Sequence, residues 1–230
     1  MSKPIYLDNQ ATTPLDPAVL ESMLPYFNDK YGNAASIHHS FGHEAKEAVE
    51  ISRKIIAKEL NASAREIVFT SGATESINLA IKGVSEKFKA KGRHIITQVT
   101  EHNAVLDTCS ALEKRGWEIT KLPVQQNGLI DPKMIDDAIR KDTVLVTIMH
   151  ANNEIGVIQP IGQIGNICKR NGVYFMVDAS QSFAKISIDV QEINIDLLAF
   201  TAHKIYGPKG IGALFIKKKN PPVELELQMD

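Results

Sequence analysis

Short, almost purely apolar runs alternate with amphipathic segments along this chain, and this alternation restricts the fold more than any other feature. Several of the runs consist almost wholly of Ile, Val, Leu and Phe, as expected for strands buried on both faces of a mainly parallel sheet. Seven runs have the length of strands: Glu66–Thr70, His94–Gln98, Glu118–Leu122, Val144–His150, Val173–Asp178, Asp196–Thr201 and Gly212–Ile216.

Helical patterns separate these runs. Apolar residues recur at spacings of three and four in two segments, Ala45–Leu60 and Ile77–Phe88. Further helical segments are Asn103–Arg115, Asp131–Arg140 and Ile161–Arg170. Strand–helix alternation of this kind predicts an α/β fold, in which a mainly parallel seven-stranded sheet is flanked by helices.

The bulk composition is that of an ordinary globular domain. The chain has 230 residues, 23% of them charged, and a formal net charge of -1, which gives no reason to expect direct binding to nucleic acid. The basic run Lys217–Lys219 is interpreted as a solvated strand end. No apolar run reaches the roughly 18 residues that span a bilayer, so no membrane association is expected.

The cysteines and the chain ends give expectations about location and completeness. A strand-like run, Ile5–Leu7, begins almost at once, so no signal or transit peptide is expected. Cys109 and Cys168 form no CxxC pair, which favours a reducing, cytoplasmic setting. After the last predicted strand come Pro221, Pro222 and a few further residues without a closing helix. We therefore expect the chain to be a piece of a longer protein.

The carboxyl ends of the strands are where ligands of open α/β sheets bind. The first predicted strand leads into Ser71-Gly72-Ala73-Thr74-Glu75. Gly72 permits a tight turn, and the N–H groups of Ala73 and Thr74 at a helix N-terminus would favour a phosphate. The alternative is an ordinary helix start that is capped by Thr74 or Ser71.

Histidine and amide side chains follow two other strands. His102 could stack on a planar ring or shuttle a proton, or serve only as a hydrogen-bonded loop residue. Asn152 and Asn153 suit ligand hydrogen bonds and turns equally well.

Two ionisable residues end apolar strands. A carboxylate such as Asp178 is costly there unless it is paired with a metal, an arginine or a protonated ring nitrogen, or caps the next turn. Lys204 enters a loop of small residues, where partial burial would lower its pKa and make it a usable amine nucleophile.

As a set, these residues match the needs of pyridoxal 5'-phosphate (PLP). PLP requires a phosphate cradle, a stacking residue, an acidic partner for its pyridine nitrogen and a lysine for its aldehyde. The G-x-G-x-x-G segment of NAD sites and the P-loop are both absent from the sequence, and no CxxC pair indicates a metal.

Further ordered motifs extend this set over essentially the whole chain. They are Tyr6-Leu7-Asp8 with Ala11-Thr12-Thr13-Pro14, Thr70–Glu75, Thr100-Glu101-His102, Asn152–Gly156, Asp178 with Gln181, and His203–Gly210. With these motifs the chain resembles the class V aminotransferase-fold proteins, specifically the cysteine desulfurases of iron–sulfur cluster assembly.

The resemblance implies the large domain of a homodimeric, fold type I PLP enzyme. Such enzymes convert L-cysteine to L-alanine and pass the sulfur, through a persulfide on a mobile-loop cysteine, to a scaffold or to tRNA-thiolating acceptors. The resemblance implies that Lys204 binds PLP covalently, and that His102 stacks on the PLP ring and transfers protons. It implies that Asp178 pairs with the pyridine nitrogen, that Gln181 hydrogen-bonds the phenolic oxygen, and that Asn153 contacts the cofactor or the substrate carboxylate. The residues implied to hold the phosphate are Ala73, Thr74, Thr201 and His203.

The chain also departs from the family pattern. Ala34 stands where the family usually has proline and Ile37 where relatives often have arginine, which puts a loop near the site entrance in doubt. A Gly-rich, Arg-containing segment expected just after Asp230, the persulfide cysteine and a small C-terminal domain are missing. Cys168 lies on an apolar helical stripe and Cys109 in a helix, so both are expected to be packing residues.

We therefore expect an N-terminal arm, residues 1–15, and a PLP-binding large domain, residues 16–230, that is incomplete at its C-terminal end. Two alternatives stay open. One is another enzyme of the same fold, such as a selenocysteine lyase or an aminotransferase. The other is a truncated, non-catalytic product that binds PLP or only makes subunit contacts.

Overall fold

A mixed sheet of seven strands forms the centre of the structure, a computed structural model that describes residues 4–218. The strands are β1 (Ile67–Thr70), β2 (His94–Gln98), β3 (Glu118–Leu122), β4 (Thr143–Met149), β5 (Tyr174–Asp178), β6 (Leu197–Thr201) and β7 (Gly212–Ile216). Their order across the sheet is β1-β7-β6-β5-β4-β2-β3. β7 is antiparallel to β1 and β6, and the other neighbours are parallel. The predicted mainly parallel seven-stranded sheet is confirmed, and all strands except β7 end at the same edge.

Helices cover both faces of this sheet, as predicted. They are α1 (Pro17–Met23), α2 (Pro25–Asn28), α3 (Ser40–Glu59), α4 (Ala73–Phe88), α5 (Asn103–Glu113), α6 (Pro132–Ala138) and α7 (Ile161–Asn171), with single 3-10 turns at Ala64–Glu66 and Ala202–Lys204. The apolar sides of α4 and α5 pack on one face of the sheet. Those of α6 and α7, with the end of α3, pack on the other.

Burial follows the composition of the strands. β2, β4 and β6 are buried along their whole length, which is why they lack the alternation of a half-exposed strand. β3 lies at the edge and exposes Glu118 and Lys121, charges that discourage pairing with another chain. α6 begins where the Asp131 side chain accepts a hydrogen bond from the Lys133 N–H at 2.9 Å.

The N-terminal region departs from the sequence prediction. The strand-like run Ile5–Leu7 is not a strand, and its side chains are largely exposed, because no strand of the described region pairs with it. α1 and α2 were not predicted, and neither contains a buried residue. Lys217 and Lys218 directly follow β7, whereas Lys219 and the Pro221–Asp230 segment lie outside the described residues. Within residues 4–218, no helix is both long and apolar enough to cross a bilayer.

Candidate active site

The carboxyl edge of the sheet carries a cavity of about 440 Å³. All nine predicted site residues line it, although they come from five separate strand ends. They are Ala73, Thr74, His102, Asn153, Asp178, Gln181, Thr201, His203 and Lys204. The structure thus brings the whole predicted set together, while the role of each residue stays a prediction.

The N-terminus of α4 opens into this cavity without a side-chain cap. The N-cap residue is Gly72, and no side chain caps the helix there. The Ser71 N–H and hydroxyl instead donate to Glu75 Oε2, each at 2.6 Å. Capping by Thr74 or Ser71 is therefore wrong, since Thr74 lies within the helix and the Ser71 hydroxyl is a donor. The first N–H groups, those of Ala73 and Thr74, lack intrahelical acceptors and suit an anion.

Two glycines bring this helix end close to the sheet. A Cβ on Gly212, in β7, would lie 2.7 Å from Gly72 Cα and 2.6 Å from the Phe200 carbonyl oxygen. A Cβ on Gly72 would lie 3.9 Å from Thr201 Oγ1. The absence of both side chains places the helix N-terminus beside the hydroxyl of Thr201.

Asp178 ends β5 with a side chain that is only 4% exposed. Its Oδ1 accepts hydrogen bonds from the Ser180 N–H at 2.9 Å and the Ser180 hydroxyl at 2.5 Å. The carboxylate therefore does cap the next turn, but with one oxygen, and Oδ2 remains for the cavity. No arginine or lysine in the described part of the chain forms an ion pair with it. A protonated ring nitrogen is a partner that such a carboxylate accepts.

Lys204 ends the 3-10 turn after β6 and is partly buried. Burial lowers its pKa below the ordinary lysine value, and the positive charge of Lys185 lowers it further, whereas Asp178 and Glu154 oppose the shift. A larger share of the amine is then neutral at a given pH, which favours attack on an aldehyde.

His102 is the N-cap of α5, with its Nδ1 accepting the Ala104 N–H at 3.1 Å. Because that nitrogen is an acceptor, the neutral ring carries its proton on Nε2. The residue is thus both a hydrogen-bonded cap and a wall of the cavity.

The two neighbouring amides have different places. Asn152 is buried and holds its turn together, since Nδ2 donates to the Thr100 carbonyl at 2.9 Å and Oδ1 accepts the N–H groups of Glu154 and Ile155. Asn153 lines the cavity, and its Nδ2 donates to Glu154 Oε1 at 2.6 Å.

Two lysine charges lie near His203 at the cavity. Burial lowers the pKa of His203, and the nearby charges of Lys204 and Lys209 lower it further. Lys209 also lines the cavity. Together with the positive end of the α4 dipole, the charge of Lys209 favours a bound anion.

Several residues of the site were missed by the sequence analysis. Ser180 orients Asp178, and its spacing two residues after an aspartate is a turn signal that could have indicated the contact. Gln181 donates from Nε2 to the Gln10 carbonyl oxygen at 2.8 Å, and Ala11 lines the cavity. No local pattern could have indicated these contacts of Gln10 and Ala11, because Gln181 and Gln10 are 171 positions apart in the sequence.

These residues fit PLP. The uncapped helix end suits its phosphate, the buried carboxylate suits its pyridine nitrogen, and a lysine with a lowered pKa suits its aldehyde.

Comparisons with known proteins show the family of the chain. The model of the aminotransferase class-V family matches residues 5–225. The cysteine desulfurase IscS of Anaeromyxobacter dehalogenans (strain 2CP-C) is 55% identical over 230 residues, which are all of this chain and 57% of that protein. The chain thus spans little more than half the length of this curated relative.

Solved structures give the same result. SspA in complex with cysteine superposes with a TM-score of 0.93 at 45% identity, over 97% of this chain and 64% of the other. A NifS-like protein superposes with a TM-score of 0.93 at 40% identity, over 98% and 61%. Members of this family depend on PLP. The chain belongs to the class-V aminotransferase family, and it is similar along its whole length to the cysteine desulfurases.

Proposed function

We propose that this chain is the PLP-binding large domain of a cysteine desulfurase. The observation that carries the proposal is the meeting of Lys204, Asp178 and the uncapped end of α4 in one cavity. L-cysteine is the proposed substrate, a choice supported by the similarity to IscS proteins and to SspA, which was solved in complex with cysteine.

The residues that would hold PLP divide by the part of the molecule they meet. Lys204 would bind the aldehyde, Asp178 the pyridine nitrogen and Gln181 the phenolic oxygen. Asn153 would contact the cofactor or the substrate carboxylate. The phosphate would lie among the N–H groups of Ala73 and Thr74 and the side chains of Thr201 and His203.

PLP, when bound, supplies an electron sink for the bonds of the amino acid. The residues of the chain would then transfer the protons that the reaction requires. His102 offers Nε2 for proton transfer, because Nδ1 is held by the Ala104 N–H. Lys204 accepts or returns a proton readily, because burial has lowered its pKa.

The sulfur must pass to a thiol outside the described cavity. In the overall reaction the C–S bond of L-cysteine breaks, a thiol gains the sulfur as a persulfide, and L-alanine leaves. Cys109 and Cys168 are both buried, and burial raises the pKa of Cys109 to about 12, so neither is a suitable acceptor. We propose that the complete enzyme supplies the persulfide cysteine and delivers sulfur in the cytoplasm for iron–sulfur cluster assembly and tRNA thiolation.

An apolar surface supports the proposed homodimer. The region of α1 and α2 and the segment after it expose large apolar side chains, namely Leu24 by 54%, Phe27 by 71% and Tyr31 by 66%, and neither helix buries a residue. Several large apolar side chains exposed within eight residues are typical of an interaction site. Sedimentation of the chain should show a dimer that Phe27→Glu weakens, and a monomer at all concentrations would contradict the proposal.

The test of the function is PLP binding by the purified chain, followed by absorbance in the near-ultraviolet and visible range with and without L-cysteine. We expect a yellow band that Lys204→Ala abolishes. Lys209→Ala is the matched control, since it removes a lysine from the wall of the same cavity. Because Lys209 only contributes charge toward a bound anion, this variant should need more PLP but should show the same band once PLP is saturating.

The alternatives predict different results. A spectral response to selenocysteine but not to cysteine would favour a selenocysteine lyase. A band without any response to either amino acid would favour the non-catalytic PLP-binding product. Absence of the band would overturn the proposed cofactor site of this chain.

A further inference from the structure

In the motif Ala11-Thr12-Thr13-Pro14, Ala11 lines the cavity, and Thr13, which does not line it, is nevertheless buried. Thr13 is only 6% exposed. Its N–H donates to the His203 carbonyl oxygen at 2.8 Å, and its hydroxyl donates to the same oxygen at 3.0 Å. The hydroxyl also accepts the Tyr206 N–H at 2.8 Å. Thr13 therefore bonds the backbone on both sides of Lys204.

Neighbouring residues extend this contact along the arm. The Thr12 hydroxyl lies 3.1 Å from His203 Nδ1, and the Asp16 N–H donates to the Tyr206 carbonyl oxygen at 3.0 Å. Further along, Gln10 accepts the hydrogen bond from Gln181. Residues 10–16 thus bond the segments around Gln181 and Lys204, which lie far away in the sequence: Thr13 and His203 are 190 positions apart. Of the arm, Ala11 lines the cavity.

The turn that Thr13 contacts contains a residue in an unfavourable backbone conformation. Tyr206 has a φ of 63°, in the left-handed region that a bulky residue rarely adopts. Backbone in such a conformation persists when surrounding contacts fix it. The hydrogen bond from the Tyr206 N–H to Thr13 Oγ1 is such a contact.

We propose that Thr13 is a positioning residue for Lys204. Its hydroxyl closes the turn from His203 to Tyr206, so that the lysine amine is fixed toward the cavity before the cofactor arrives. Without the hydroxyl, PLP binding would have to order the turn, and affinity would fall. The inference rests on the proposed function, because it takes Lys204 as the residue that binds PLP. By linkage, PLP binding must also stabilise the docked arm.

The experiment compares wild type, Thr13→Val and Thr13→Ser. Valine has nearly the shape of threonine but loses both hydroxyl hydrogen bonds, so we expect PLP affinity to fall about tenfold, and serine to restore most of it. Amide hydrogen exchange of the peptide covering residues 202–207 is the second readout. It should be faster in Thr13→Val than in wild type even without PLP.

Thr143→Val is the matched control. Thr143 is 1% exposed, and its hydroxyl also joins two partners, the Arg140 N–H at 2.8 Å and His94 Nδ1 at 2.8 Å. It lies at the amino end of β4, on the opposite edge of the sheet from the cavity. Thr143→Val should lower the melting temperature and leave PLP affinity and the exchange of residues 202–207 unchanged.

The outcomes separate this inference from the proposed function. If Lys204→Ala abolishes the PLP band while Thr13→Val binds PLP within twofold of wild type, the function stands and the positioning role is refuted. If no variant binds PLP, the proposed function fails, and the exchange rate of residues 202–207 still decides whether Thr13 fixes the turn. If Thr13→Val does not fold, the test uses the wild-type protein alone. Amide hydrogen exchange of the peptide covering residues 5–16 is then measured with and without PLP. PLP should slow this exchange, and equal exchange with and without PLP overturns the inference.

Discussion

Gly212→Ala should destabilise the protein and weaken PLP binding together. The alanine Cβ would lie 2.6 Å from the Phe200 carbonyl oxygen, 2.7 Å from Gly72 Cα and 2.8 Å from Gly72 C. Carbon atoms pack at roughly 3.5–4.0 Å, so β7 and the turn before α4 must separate by roughly 0.8 Å. All three contacting atoms belong to the backbone, and no side chain can rotate away to relieve them.

The magnitude follows from the cost of overpacking, which is about 1–3 kcal/mol. Because backbone must move, we expect the upper value, about 3 kcal/mol. For a chain of this size that corresponds to a fall in melting temperature of about 6–12 °C. The displaced turn carries the Ala73 and Thr74 N–H groups, so PLP affinity should fall as well.

Thermal unfolding followed by circular dichroism, with a PLP titration on the same samples, measures both effects. Gly162→Ala is the control, because nothing lies within 4 Å of a Cβ at that helical position. Alanine is favoured over glycine in a helix by up to about 1 kcal/mol, so this variant should melt at or slightly above the wild-type temperature. The reasoning is refuted if Gly212→Ala melts within about 2 °C of wild type and binds PLP equally well.

Three further predictions concern titratable groups. Burial, followed by the charge of Asp178, raises the pKa of Glu101 well above that of an unfolded chain, so the folded state holds a proton that the unfolded state has released. The free energy of unfolding should therefore fall as pH rises from the ordinary glutamate pKa through the folded one, and urea titrations of Glu101→Gln should show a flatter pH dependence. Cys109 and Cys168 should react slowly with an aromatic disulfide reagent in the native protein and rapidly in guanidinium chloride, because both are buried; rapid native reaction would contradict this. The rate of PLP capture should rise with pH around the lowered pKa of Lys204, and Asp178→Asn should move the midpoint to still lower pH, since Asp178 opposes the lowering; an upward shift would count against the assignment.

The sheet could be predicted from the sequence because its strands are continuous apolar runs with polar residues at their ends. β2, β3 and β7 have the predicted bounds, and the ends of the other strands agree with the prediction to within one residue. The grouping of the candidate site residues around one cavity could be predicted because they follow those strand ends, as in the sequence from Asp178 to Gln181.

The N-terminal region could not be predicted in the same way. Thr13 and His203 are in contact although they are 190 positions apart in the sequence, and no local sequence pattern indicates such a contact. α1 has only seven residues and buries none of them, so it lacks the long core-facing stripe from which α3 and α4 were predicted. The run Ile5–Leu7 looks like a strand by composition, but a strand needs a neighbour, and the described sheet provides none.

The position of β1 in the sheet also sets an order of events during folding. β1 is the first strand in the sequence, but within the described sheet it pairs only with β7, the last strand, where Thr70 lies opposite Gly212. Its successor in the chain, β2, lies on the far side of β4. A ribosome must therefore release nearly all of the described region before β1 finds its partner, and such non-local pairing is slow. Until then the start of α4 lacks its contact with Gly212, so the segment proposed to bind the cofactor phosphate stays open to aggregation and proteolysis until late in folding.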